Sequence, residues 1–305
     1  MKVRLDMSRG SLTLLLIGSV MAQSAVAQRG EQVSEAVRAE ISRAMAGSAA
    51  DQHYLGWRYI NGESVPHNDK EAAKWFRLAA EQGEANAQLN LGWMYFSGKG
   101  VIEDDKEAAK WYRLAAEQGH TRAQYNLGVM YDNGTGVPLD DEEAVGWYRL
   151  AAEQGHTPAQ FFLGIMYDNG TGVPLDDKEA IKWYRLAAEQ GHTPAQYNLG
   201  IMYDNGEGVI EDNKEAVKWY RLAADQGDAN SQLNLGWMYH YGEGVRRDEV
   251  TAYAWYNIAG SNGSADAQKN KSLIAKEMTR KQIVKAKKLS RELLKQIEER
   301  QKKAE

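Results

Sequence analysis

Apolar and small residues recur along this chain at helical spacing, and the pattern itself recurs. In the stretch AQYNLGIMYDNGEGVIEDNKEAVKWYRLAADQG, from Ala195 to Gly227, residues Ala195, Leu199, Gly200, Met202 and Tyr203 share one side of a helix. That helix stops at Asp204-Asn205-Gly206, where Gly or Asn can take the left-handed conformation that ends a helix. A second helix is predicted to open at Asp212, with Glu215 three residues on. This is the spacing of a capping box, in which the Asp accepts an orphan amide and the Glu reaches back. Asp104/Glu107, Asp140/Glu143 and Asp176/Glu179 repeat it. The apolar stripe of the second helix is Ala216, Trp219, Tyr220 and Ala223, and Gly227 ends it. The next first helix is predicted to start at Thr157-Pro158 or Thr193-Pro194, with Thr as N-cap and Pro at the first helical position, where no amide is missed.

The period is 36 residues. Trp75, Trp111, Trp147, Trp183, Trp219 and Trp255 keep that step, and so do the Leu-Gly pairs that begin at Leu55, Leu91, Leu127, Leu163, Leu199 and Leu235. Self-similarity at such a period marks an array of supersecondary units in which each repeat packs on its neighbours. The motif AQ-x-x-LG-x-MY-x-x-G-x-GV followed by KEA-x-K-WYR-LAAEQG returns six times over residues 48–263. It resembles the Sel-one-like repeat (SLR) family, a subclass of the tetratricopeptide-like helical repeats. The resemblance implies an all-α fold, a right-handed α-solenoid of six helix–turn–helix repeats, used as a protein-binding scaffold or adaptor.

Both ends of the array change character. Shifted by one period, Glu35-Ala36-Val37-Arg38 falls on Glu71-Ala72-Ala73-Lys74, so residues 28–47 read as a degenerate second helix that caps the N-terminal end, with a disordered spacer as the alternative. The first repeat departs from the others at Asp51 and Arg58. From Ser264 a partial seventh repeat begins, with Lys271-Ser272 in place of Leu-Gly. Thr279 and Gln282 form a further capping box, and Ile283, Leu289, Leu293 and Ile297 mark one face of a basic C-terminal helix that closes the array. A basic helix of this kind also suits anionic lipid or nucleic acid, but a lid over the last repeat accounts for it, and neither partner is expected.

Residues 1–27 have the three parts of a secretory signal: Lys2, Arg4 and Arg9, a short apolar core from Leu12 to Met21, and Ala25-Val26-Ala27 before a cleavage point. The apolar run is shorter than the ~20 residues that span a bilayer, so no stable membrane anchor is expected, and the mature chain is expected in the periplasm or outside the cell. The chain has no cysteine, which excludes disulfides and thiolate chemistry. Serine-hydrolase, zinc-peptidase, phosphate-loop and Ser-x-x-Lys motifs are missing. His120, His156 and His192 occupy one repeat position, one repeat apart along the array, so they are not expected to converge on a metal. The loop from Asp132 to Gly136 lacks the ligand spacing of a calcium loop. No cofactor or metal is therefore expected. An enzyme acting on cell-wall or β-lactam substrates, and a secreted factor that binds a host protein, are the competing functional readings.

The repeats supply their own comparison. Positions alike in nearly every copy should build the stack, and positions that vary are free to recognise a partner. Along the first helix one variable column is His53, Leu89, Tyr125, Phe161, Tyr197 and Leu233; the next is Trp57, Trp93, Val129, Ile165, Ile201 and Trp237; a third is Ile60, Phe96, Asp132, Asp168, Asp204 and His240. By the resemblance these columns line a concave groove. It would be aromatic at both ends and acidic between, suited to a peptide or helix with apolar anchors and a basic middle. The apolar columns also fit packing between neighbouring helices. In the stack, Trp183→Ala is expected to cost about 3–5 kcal/mol, as for truncating a buried aromatic, measured by thermal or denaturant melts, whereas Asp168→Ala is expected to cost little.

Overall fold

The structure is a computed structural model describing residues 35–304. The signal over residues 1–27 and the leader up to residue 34 lie outside the described residues. The described residues form fifteen helices and no strand. Helix α1 (Glu35–Met45) precedes six pairs: α2 (Ala49–Asn61) with α3 (Asp69–Glu81), α4 (Ala85–Ser97) with α5 (Asp105–Glu117), α6 (Thr121–Asn133) with α7 (Asp141–Glu153), α8 (Thr157–Asn169) with α9 (Asp177–Glu189), α10 (Thr193–Asn205) with α11 (Asn213–Ala224), and α12 (Ala229–Tyr241) with α13 (Glu249–Ser261). Helices α14 (Ala265–Glu277) and α15 (Arg280–Ala304) follow. This is the expected all-α solenoid fold, and the backbone of the described residues falls into two compact units that divide between Leu150 and Ala151.

Helix ends follow local chemistry, with two corrections. Each first helix of the six pairs stops at a left-handed glycine, Gly62, Gly98, Gly134, Gly170, Gly206 and Gly242. Asp104, Asp176 and Asp212 do cap α5, α9 and α11, each accepting the amides two and three residues on. The reciprocal half of the box is not formed there. The amides of Asp104, Asp176 and Asp212 instead donate to the carbonyls of Tyr95, Tyr167 and Tyr203 in the preceding helix, so the Glu is free to pair with a Lys one turn on, as Glu179 does with Lys182 at 3.1 Å. The second correction concerns the Thr-Pro starts. His156 and His192, one residue earlier, are the N-caps, and their Nδ1 atoms accept the Ala159 and Ala195 amides at 3.3 Å.

Within a repeat the two helices meet at the Leu-Gly pair. A methyl group added at Gly128 or Gly164 would stand 2.7 or 2.6 Å from a ring carbon of Tyr148 or Tyr184, and Gly56 meets Phe76 in the same way at 2.7 Å. The aromatic ring of the second helix therefore lies directly on the backbone of the first. Between repeats a buried glutamine does the joining. Gln88 donates to the Ala80 carbonyl at the end of α3 (3.1 Å) and accepts from Gln118 at the end of α5 (2.7 Å), so its buried amide is satisfied on both sides. Gln52 and Gln196 are held in the same way. Arg77, Arg113, Arg185 and Arg221 each donate to a tyrosine hydroxyl of the following first helix, Tyr95, Tyr131, Tyr203 and Tyr239.

The tryptophan column is less uniform than its spacing. Trp75 and Trp183 are 7% exposed and Trp255 is fully buried, while Trp111, Trp147 and Trp219 are half-buried. The buried indole N–H groups of Trp183 and Trp255 have no acceptor, so these residues act through apolar area.

Helices close both ends. Val37, Ile41 and Ala44 of α1 pack into the core of the first repeat, and the two departures of that repeat are explained there: Asp51 pairs with Arg43 at 2.7 Å and Arg58 with Glu40 at 2.8 Å. At the other end the Thr279–Gln282 box forms in both directions. Ala286 and Ile297 of α15 are buried against the last repeat, Asn257 donates to Ser290, and Arg300 pairs with Asp225.

Two glycine substitutions separate close approach from mere helix propensity. Gly164→Ala is expected to cost about 1–3 kcal/mol through overpacking against Tyr184. Gly146→Ala, in open space on α7, is expected to stabilise by about 0.5–1 kcal/mol. Denaturant melts of the two variants check both signs.

Candidate functional site

Within each unit, first helices of successive repeats touch through side chains. In the first unit Asn90 of α4 reaches His53 of α2 at 3.0 Å, and His120 at the start of α6 reaches Asn86 of α4 at 3.2 Å. In the second unit the His192 ring, at the start of α10, stands 4.6 Å from that of Phe161 in α8. The variable residues of the sequence columns lie on these helices.

Their environments differ by column. His53, Leu89, Tyr125, Phe161, Tyr197 and Leu233 are half-buried, and Leu89, Phe161, Tyr197 and Leu233 pack against neighbouring core clusters. Trp57, Trp93, Phe96 and Trp237 are open, at 45, 38, 47 and 45% exposure, and Val129, Ile165 and Ile201 are half-buried. In the first unit the Lys99 ammonium sits 4.8 Å from the centre of the Trp93 ring. In the second, Trp237 contacts Tyr241 (ring centres 4.3 Å apart), which stacks on His240 at 4.5 Å.

The acidic column carries a structural duty that its spacing does not reveal. Asp132, Asp168 and Asp204 are half-buried, and each accepts the hydroxyl of the tyrosine in its own repeat: Tyr148 at 3.1 Å, Tyr184 at 3.0 Å and Tyr220 at 3.2 Å. Burial and the neighbouring carboxylates raise the pKa of these phenols. Burial also raises that of Asp204, with Glu243 and Glu211 adding to it. The expectation that Asp168→Ala is nearly free of cost is corrected accordingly: it removes an acceptor from the fully buried Tyr184, a loss of about 1–2 kcal/mol.

In the first unit α2, α4 and the start of α6 enclose an open cleft of about 530 Å³, with His53, Trp57, Asn86, Leu89, Asn90, His120 and Arg122 on its walls. Trp57 and Leu89 were singled out by their columns; Asn86, Asn90, His120 and Arg122 were not. Arg122 had a signal in the sequence, being the sole cation at its repeat position, where the other copies have Ala50, Asn86, Pro158, Pro194, Asn230 and Asp266. Tyr241 was also outside the columns, although it lies four residues after Trp237 on the same helix, a spacing that puts the two rings on one face. Among the described residues no three His, Asp or Glu side chains are placed to hold a metal ion, and no helix is long and apolar enough to cross a membrane.

The family model of the Sel1 repeat matches six consecutive segments, 49–84, 85–120, 121–156, 157–192, 193–228 and 229–264. A solved Sel1 repeat protein from Oxalobacter formigenes is 36% identical, the match covering 71% of this chain and 88% of that one, with a TM-score of 0.65. The protective antigen c5321, present in uropathogenic Escherichia coli strains and displaying an SLR fold, is 27% identical over 94% of this chain and 85% of its own, with a TM-score of 0.49. Among curated proteins none matches.

The His192 cap is expected to make the start of α10 sensitive to acid. Burial lowers the pKa of His192, and its Nδ1 must be unprotonated to accept the Ala195 amide. In the unfolded chain the ring takes up a proton near pH 6.5, so the folded state binds fewer protons there. The cap's contribution is therefore intact above about pH 6.5 and is lost as the pH falls below it, toward the lowered folded value. Asp228 caps the equivalent helix with a carboxylate, 2.6 Å from the Ser231 amide. Thermal melts between about pH 7 and pH 5 are expected to show a smaller decline for His192→Asp than for the unaltered chain.

Proposed function

This chain belongs to the Sel1 repeat family, and we propose from that premise that it is a protein-binding scaffold or adaptor of the bacterial cell envelope, recognising a partner peptide or helix with its first helices. One observation carries the reading. Where the copies agree, at Leu-Gly, the second-helix tyrosine and the paired alanines, side chains are buried. Where they differ, the first helices hold Trp57, Trp93, Phe96 and Trp237 open to solvent. Large exposed aromatics are anchors for a partner, and the stack does not require them. The first helices of the second unit also carry the half-buried Asp168 and Asp204 and the aromatic group of Trp237, His240 and Tyr241, side-chain types that suit a partner with basic and apolar residues. The signal-like segment over residues 1–27 supports an envelope location. The missing nucleophile motifs favour binding over catalysis.

In-cell crosslinking and affinity capture test this reading, comparing the unaltered protein with a Trp93→Ala, Trp237→Ala variant whose fold is checked by circular dichroism. A partner captured by the former and lost by the latter is the expected result. A partner retained by the variant moves recognition away from the first helices.

A further inference from the structure

The cleft of the first unit has a chemistry of its own, distinct from the acidic column. Its apolar part is the exposed face of Trp57 with the half-buried Leu89. Its polar part is made of donors. Arg122 is exposed and makes no ion pair with any described acidic residue. The Asn90 amide uses one N–H on the His53 Nε2 atom, and the Asn86 amide uses one on Glu84, which leaves each amide a second N–H.

The carboxylate nearest this wall is already committed. Glu84 is the N-cap of α4: one oxygen accepts the Ala87 amide and the other the Asn86 side chain at 2.9 Å. Burial lowers the pKa of His53 and His120, against the opposing pull of Glu84. His120 donates through Nε2 to Asn86 Oδ1, and unlike His156 and His192 it does not cap its helix, so its buried Nδ1 has no partner. Among the described residues the sum is a pocket with an apolar floor and a rim of one exposed cation and two amides, and the Glu84 carboxylate beside it is held by amides and makes no ion pair with Arg122.

We propose that this cleft binds an acidic peptide segment of a partner protein, with an Asp or Glu carboxylate on Arg122 and the Asn86 and Asn90 amides, and an adjacent apolar side chain against Trp57 and Leu89. A guanidinium takes a carboxylate in bidentate fashion, and an open cleft of this size admits one large side chain together with its neighbours. The proposal rests on the reading of the first helices as the binding face, and narrows it: the cleft lined by Arg122 selects acid, whereas the acidic column suits base.

A display library of peptides with apolar anchors flanked by acidic, neutral or basic residues, sorted on the full chain, tests the assignment. Enriched peptides are expected to carry Asp or Glu beside a large apolar residue. Their affinity, read by fluorescence anisotropy, is expected to fall at least about tenfold for Arg122→Ala and more for Arg122→Glu, and to be unmoved by Trp237→Ala. Replacing the peptide's Glu by Gln should cause a similar loss, with no further loss when combined with Arg122→Ala, as a double-mutant cycle requires for a direct pair. Arg122 is exposed, so folding is preserved, and circular dichroism checks this. Enrichment of neutral or basic peptides, an acidic peptide indifferent to Arg122, or no enrichment at all overturns the cleft assignment. The wider reading fails separately: a cellular partner lost with Trp93→Ala and Trp237→Ala but kept with Arg122→Glu would leave the scaffold function standing and remove the cleft.

Discussion

The contact on which everything else depends is an aromatic ring lying on a bare backbone. Each Leu-Gly glycine faces the ring of the second helix at a distance that leaves no room for a methyl group. This fixes the pair of helices within a repeat, and with it the direction in which the first helix shows its other side. The loop that follows obeys a similar constraint. Gly136 has a φ of 69°, and a Cβ there would stand 2.2 Å from the Asp105 carbonyl at the start of α5. The buried glutamines and the Arg–Tyr pairs then join one repeat to the next. None of these groups is spare, which is why they change so little from copy to copy.

Periodicity made most of this legible. The step of the Leu-Gly pairs placed the helices, and the glycines placed their ends. What the sequence hid were choices between neighbours one residue apart. Thr157 looks like an N-cap before Pro158, yet His156 takes that position, because its imidazole nitrogen reaches the Ala159 amide. The capping box at Asp212 is half formed because a carbonyl from the preceding helix reaches the Asp212 amide, a long-range contact with no local signature. At Thr279, where the box forms in full, the amide donates to Gln282 Oε1.

The third variable column shows that recognition and packing are not separate sets of residues. In the third, fourth and fifth repeats the first helix offers Asp132, Asp168 or Asp204 to the hydroxyl of the second-helix tyrosine, whereas in the second repeat Phe96 takes that position and the Tyr112 hydroxyl pairs with Asn126. Where the second helix has Phe76 instead, the first helix has Ile60. In the last repeat His240 stands in the acidic position, its ring centre 6.2 Å from that of Tyr256 in an edge-on arrangement, and the buried Tyr256 hydroxyl has no partner. A carboxylate held by a tyrosine is oriented as well as charged, so the acidic surface of the second unit is fixed in place by the same ring that meets the glycine. The exposed aromatics have no such support, and their openness on a face otherwise set by packing is the feature the stack does not explain.

Saturation mutagenesis of residues 85–120, scored by protease resistance of the folded chain, tests that division most directly. The account predicts that Gln88, Gly92 and Tyr112 reject nearly all substitutions, while Trp93 and Phe96 accept polar and small residues without loss of the folded state. If Trp93 and Phe96 prove as restricted as Gly92, they belong to the packing of the array, and the first-helix face loses its claim to be the binding surface.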